Sequence, residues 1–199
     1  MPGPVFIVRN YGDMCNTLHT FINSAALAAE HQRVLVNLIF QPFAEYFAGT
    51  AQSPVACFPA DARFVPEALV RTLGTEPLRR LLFSAKWRRR LFPLLFAIEA
   101  PDDFEVHPDF PPLQQLGQDD RAVVLNAWNI HLPALVERHA NALRVFFSLA
   151  PAWQKQLDDW WSTEPRPATL VLSLIHISRA IHPGATAFSP SNTTQASRM

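Results

Sequence analysis

Neither sign of charge is in excess: 17 basic residues offset 17 acidic ones over 199 residues. A balanced chain has no electrostatic footprint for nucleic acid, and no zinc-finger or RNA-binding motif is present, so no nucleic-acid partner is expected. Cysteine is scarce. The only two are Cys15 and Cys57, and in a cytosolic protein with a sizeable core free thiols are favoured over a disulfide. Long apolar runs are missing, and Met1-Pro2-Gly3-Pro4 lacks the basic segment of a secretory signal, so a cytosolic protein is the expectation. No Gly-x-Ser-x-Gly elbow and no Walker loop occurs, which removes hydrolase and P-loop readings. His107-Pro108-Asp109, His131 and His139 do not have the spacing of a zinc site and are expected at solvated positions. No internal repeat is found.

Hydrophobic residues make up 49% of the chain, enough for a core. Val5-Phe6-Ile7-Val8 is a short apolar run between Pro4 and the polar segment from Arg9 to Asp13, the pattern of a strand buried on both faces. Leu18, Phe21, Ile22, Ala25, Ala26 and Ala29 then recur at helical spacing, so a helix over Thr17 to Glu30 has one apolar face. Val34 to Phe40 supplies a second strand-like run. The order is that of a βαβ unit, whose ligands sit beyond the carboxyl ends of the strands, where the loop Arg9 to Asn16 lies. The expected fold is α/β, a Rossmann-like parallel sheet with flanking helices.

Punctuation divides the remainder. Ala48 to Pro66, rich in Gly, Ser, Ala and Pro, reads as a long loop, and Pro101 to Asp120 with its four prolines reads as another. Between them Glu67 to Ala100 is expected to be mostly helical, with breaks near Pro77 and Pro93. This block carries Arg79-Arg80 and Lys86-Trp87-Arg88-Arg89-Arg90 among Leu and Phe. Such a helix can lie on an anionic membrane surface or meet an anionic acceptor through Arg88, Arg89 and Arg90; equally, Arg stems can cover the outside of a core helix. Trp153, Trp160 and Trp161 fall at about helical spacing, a sugar platform or, more simply, packing against the sheet. Cys15 is a reactive thiol near a helix amino terminus or a small buried residue beneath the loop, the latter being the expected one.

The segment Arg9 to Phe21, the Ala-rich helix, Val34 to Phe40 and Ala44-Glu45-Tyr46-Phe47 together resemble the amino-terminal lobe of fucosyltransferase-like glycosyltransferases. This group includes the nodulation fucosyltransferase and the protein O-fucosyltransferases. A second patch, Val123 to Trp128, Leu132 to His139 and Val145-Phe146-Phe147, is similar to the strand, Trp and helix that lead into their donor lobe. The resemblance implies transfer of a sugar, fucose first, from a GDP-sugar to a hydroxyl of a glycan or lipid-linked acceptor, with no cofactor and no metal. It makes Asn16 the donor-contact candidate, since its amide can donate to a diphosphate; as a residue type Asn also serves as a helix N-cap. No catalytic base is identified, and Asp13 is only a loop acid in a suitable place. The family's His-x-Arg-x-x-Asp strand is not reproduced: after Leu170 to Ile175 come His176, Ser178 where the Arg belongs, and Arg179 one residue late.

From these readings residues 1–164 form a Rossmann-like lobe with a helical insertion at 67–100, residues 165–178 begin a donor lobe, and residues 179–199 form a disordered tail without Asp, Glu or Lys. Leu172 to Ile177 is similar to the translation of a transposon end used in sequencing libraries. An interrupted reading frame between 171 and 178 is therefore expected, with a natural polar tail as the alternative. The two function classes are a GDP-sugar glycosyltransferase and a non-catalytic remnant or binding module that keeps only the lobe.

Overall fold

The computed structural model describes residues 2–9, 12–53, 55–62, 95–101, 104–127 and 129–163. They form an α/β fold around a five-stranded, mostly parallel sheet. In chain order the described elements are β1 (Val5–Ile7), α1 (Met14–Glu30), β2 (Leu35–Asn37), a 3-10 turn (Gln41–Tyr46), β3 (Ala56–Phe58) and β4 (Leu95–Glu99). Then follow α2 (Pro111–Gln114), β5 (Ala122–Asn126), α3 (Pro133–Arg138), α4 (Ala140–Phe146) and α5 (Pro151–Thr163). The sheet order is β3-β2-β1-β5-β4, with only β3 antiparallel to its neighbour. The fold is thus Rossmann-like, as the βαβ opening implied.

Alternation along each strand separates two faces. Val5 and Ile7, Leu35, Val123 and Leu125, and Phe96 and Ile98 belong to one buried cluster, which also takes Phe21 and Ala25 of α1 and Leu143 and Phe146 of α4. Val8, Val36, Val124 and Cys57 belong to a second cluster on the opposite face, with Phe6 and Leu95 packed against it. In register Val5 lies opposite both Leu35 and Val123, and Phe6 opposite Val36 and Val124, so the alternation stays in phase across three strands. Edge-on rings tighten the first face: Phe21 lies 4.8 Å from Phe40 and 5.0 Å from Phe147. Gly49 touches this packing. A Cβ there would come within 2.2 Å of the Phe146 ring, so only glycine fits at that point of the turn.

Three expectations need correction. Leu95–Glu99, within the block read as helical, is strand β4, and Phe96 and Ile98 point inward while Glu99 is exposed. A Leu-rich run looks helical by composition, and pairing with β5 over all five residues overrides that preference. The loop from Ala48 to Pro66 contains β3, because Ala56–Phe58 caps the open edge of β2. The loop from Pro101 to Asp120 contains α2 and a 3-10 turn at Gln115–Gly117; Pro111 and Pro112 fill the first helical positions, where a missing N–H costs nothing. Arg88, Arg89 and Arg90, the breaks at Pro77 and Pro93, His176, Arg179 and the segments 165–178 and 179–199 lie outside the described residues. No helix among the described residues is long and apolar enough to cross a membrane.

The chain divides into two compact units after Trp153. In the first, Trp153 packs on Tyr46 with ring centroids 4.8 Å apart. In the second, Trp160 and Trp161 pack on each other at 5.3 Å, and Lys155 pairs with Asp159 one helical turn away. No residue of α5 is buried.

The amino edge of the sheet is tied by Arg33. This residue is 3% exposed, and its guanidinium donates to the carbonyls of Gly3 (2.8 Å), Arg121 (2.9 Å) and Leu116 (2.9 Å), and to that of Asp119. A turn with Gln32 at φ 52° delivers it there, closed by the Arg33 N–H on the Ala28 carbonyl at 2.8 Å.

Candidate functional site

At the carboxyl edge, β1 runs into the loop that starts α1. Gly12 has φ +95°, a left-handed value that glycine adopts without steric cost. Asp13 follows in an extended conformation and is the N-cap: its Oδ1 accepts from the Asn16 N–H at 3.5 Å, and its carbonyl accepts from the Thr17 N–H and hydroxyl. The helix therefore begins at Met14, three residues earlier than its apolar periodicity implied. Asn16 is not the cap but the third residue of the first turn, with an exposed side chain. A Cβ on Gly12 would stand 3.4 Å from Asn16 Nδ2, so the amide lies against the bare glycine backbone. Cys15, expected beneath the loop, is exposed.

One turn further, α1 carries a second group. Asn16, His19 and Asn23 are spaced by three and four residues and share one helix face. Asn23 is buried, and its Oδ1 accepts from the Leu132 N–H at 2.8 Å. Its Nδ2 donates to the His19 carbonyl at 3.0 Å and lies 3.3 Å from His19 Nε2.

The chain after β5 brings His131 to the same place. Beyond the ends of β4 and β5, Val106 and Ile130 form an isolated parallel bridge, with Val106 N–H on the Asn129 carbonyl (2.7 Å) and His131 N–H on the Val106 carbonyl (2.9 Å). Val106 and Ile130 are fully buried, so their neighbours Glu105, His107 and His131 face outward. His131 stacks on His19 with centroids 6.4 Å apart and lies 6.3 Å from His107, edge to face. Glu105 sits 4.0 Å from His131 and 3.9 Å from His107. Partial burial and then the neighbouring His131 push the His19 imidazole below its ordinary range, while Glu105 pulls the other way. Among the described residues no group of His, Cys, Asp or Glu is arranged to hold a metal ion.

His107 and His131 thus occupy the solvated positions expected of them, but as parts of a cluster that sequence spacing did not join. His19 was missed altogether. The signal available was the i, i+4 pair His19 and Asn23 on an otherwise Ala-rich helix. Asn37 was missed too, although a lone Asn inside the apolar run Val34 to Phe40 marks it. It is 1% exposed at the carboxyl end of β2; its Oδ1 accepts from the Ile39 N–H at 3.1 Å, and its Nδ2 has no partner among the described residues. His139 stands apart, paired with Glu30 at 2.9 Å beside Arg138.

A separate shallow cavity of about 280 Å³ opens at the amino edge, lined by Glu30, His31, Arg33, Leu116, Gly117 and Asp120. Four backbone carbonyls already occupy the Arg33 fork there, so this cavity is the outer side of a structural clamp. The carboxyl edge is the stronger candidate, being where α/β sheets present loops and helix starts to ligands. Comparison of the chain with protein-family models, with curated proteins and with solved structures gives no match.

Proposed function

We propose that this fold is the amino-terminal lobe of a glycosyltransferase that takes a GDP-sugar, fucose being the first candidate, and delivers the sugar to an acceptor hydroxyl. The observation that carries this reading is the parallel β1–α1–β2 unit whose first loop sets the exposed Asn16 amide against Gly12 at the carboxyl edge. The transferred sugar becomes oxocarbenium-like as the diphosphate leaves, so growing negative charge must meet fixed donors; an amide and a helix start are groups of that kind. In this reading the protein is cytosolic, and an anionic, lipid-linked acceptor would meet Arg88, Arg89 and Arg90.

One observation favours the second reading, a non-catalytic binding module. Asp13 caps α1 with a carboxylate at the place where a phosphate would dock, and like charges oppose each other there. The two readings separate in calorimetric titration of the whole chain with GDP and GDP-fucose. Under the transferase reading wild type gives saturable heat, Asn16→Ala weakens binding by about tenfold through one lost charge-assisted hydrogen bond, and Asp13→Asn, which keeps the cap, tightens it. Absence of saturable heat in wild type and in Asp13→Asn leaves only the binding module.

A further inference from the structure

The amide of Asn23 can point only one way. Its Oδ1 accepts the buried Leu132 N–H, so its two Nδ2 hydrogens face α1, one on the His19 carbonyl and one toward His19 Nε2. Turning the amide over would set an NH2 group against the Leu132 N–H and leave that donor unpaired in the interior. His19 Nε2 must therefore present a lone pair, which only a neutral imidazole protonated at Nδ1 provides. A proton on Nε2 would oppose donor to donor.

We propose that His19, Asn23 and Leu132 form a proton-operated latch, which at neutral pH fastens the middle of α1 to the segment that follows β5 and on acidification lets go. Among the described residues the titratable groups facing His19 are His131, stacked on it, and Glu105; His107 stands behind His131. Among the described residues, three imidazoles share one carboxylate. As the cluster gains charge, repulsion between His19 and His131 adds to the lost Asn23 contact, and a single Glu105 cannot neutralise both rings. The segment released, Asn129 to Leu132, also holds the bridge to Val106, so Glu105 and His107 move with it. The device thus loosens the carboxyl edge of the sheet and leaves the Arg33 clamp at the other edge untouched. It works whether or not the chain binds a nucleotide sugar.

The test is a pH titration of the whole isotopically labelled chain by NMR, from about pH 7.5 to about pH 5, across the histidine range. The His19 ring, the Asn23 side-chain amide and the Leu132 backbone amide are expected to shift together, with one midpoint below that of an unperturbed histidine. Hydrogen exchange at Leu132, corrected for its intrinsic pH dependence, should accelerate by about tenfold as its bond is lost. In His19→Gln the side-chain oxygen still accepts from Asn23 but cannot titrate, so the Asn23 and Leu132 signals should stay flat. His131→Gln removes the like charge and should raise the His19 midpoint. Titration of His19 without movement at Asn23 and Leu132 overturns the latch. So does an unchanged response in His19→Gln; should that variant not fold, an unmoved His19 midpoint in His131→Gln overturns it equally.

Discussion

Arg33 shows how much one side chain can organise. Its fork meets backbone carbonyls of Gly3, Leu116, Asp119 and Arg121, joining the entry to β1 with the approach to β5. Burial lowers the basicity of this guanidinium while Asp119 and Asp120 oppose that, and a planar group with five donors suits four carbonyls set around it. Replacing Arg33 by Leu leaves the buried Leu116 carbonyl unpaired and gives the three part-buried ones to water, and is expected to cost on the order of 2 kcal/mol. Urea unfolding checks this: the midpoint should fall while the slope stays unchanged. Arg33→Lys should recover only part of the loss, because a point-like ammonium does not reproduce the fork. Close by, Asp119 is held down to about 2, chiefly by its hydrogen bond with Arg121. That pair keeps the start of β5 in place at all ordinary pH values.

At the scale of elements, α1 was legible in its body and not at its start. Apolar spacing marks the residues that touch the sheet, so Leu18 to Ala29 and the end at Glu30 could be read. The first turn, Met14 to Asn16, touches solvent and carries no such mark; only the cap chemistry of Asp13 shows it, and Asp13 looks like any loop acid. β1 and β2 were legible because buried parallel strands are runs of apolar residues; β5 was expected only from the family resemblance of Val123 to Trp128. β3 and β4 were not. β3 is three residues in a stretch full of turn formers, and β4 takes its identity from a partner far along the chain. The candidate site divides in the same way: Asn16 was singled out only through the family resemblance, whereas the meeting of His19, Glu105, His107 and His131 depends on three separate segments. Sequence spacing holds no record of such a meeting.

For the whole molecule, acid should be destabilising well before its carboxylates titrate. His19 and His31 both have lowered pKa values in the folded chain, His19 by burial and His131, His31 by burial and then Arg33. The unfolded chain consequently binds more protons as pH falls through the ordinary histidine value of about 6.5. The stability these residues permit is complete above that value and is lost progressively below it. The lowered carboxylates Glu30 and Asp119 act only at lower pH, so they do not mask the effect. Thermal unfolding between about pH 7.5 and about pH 5.5 should show Tm falling by a few degrees, with less change in a His19→Gln, His31→Gln double variant. A Tm that is flat or rises over this interval contradicts the assignment of both rings.

The two thiols sit in opposite surroundings. Burial pushes Cys57 up to about 11 and hides its sulfur in the core, while Cys15 stands in water on the opening turn of α1. A maleimide at neutral pH should therefore tag the native chain once, at Cys15, as mass spectrometry of the labelled protein will show. A fluorophore placed there rests beside Gly12 and Asn16, and the molecule comes supplied with its own attachment point for watching that loop respond to whatever approaches it.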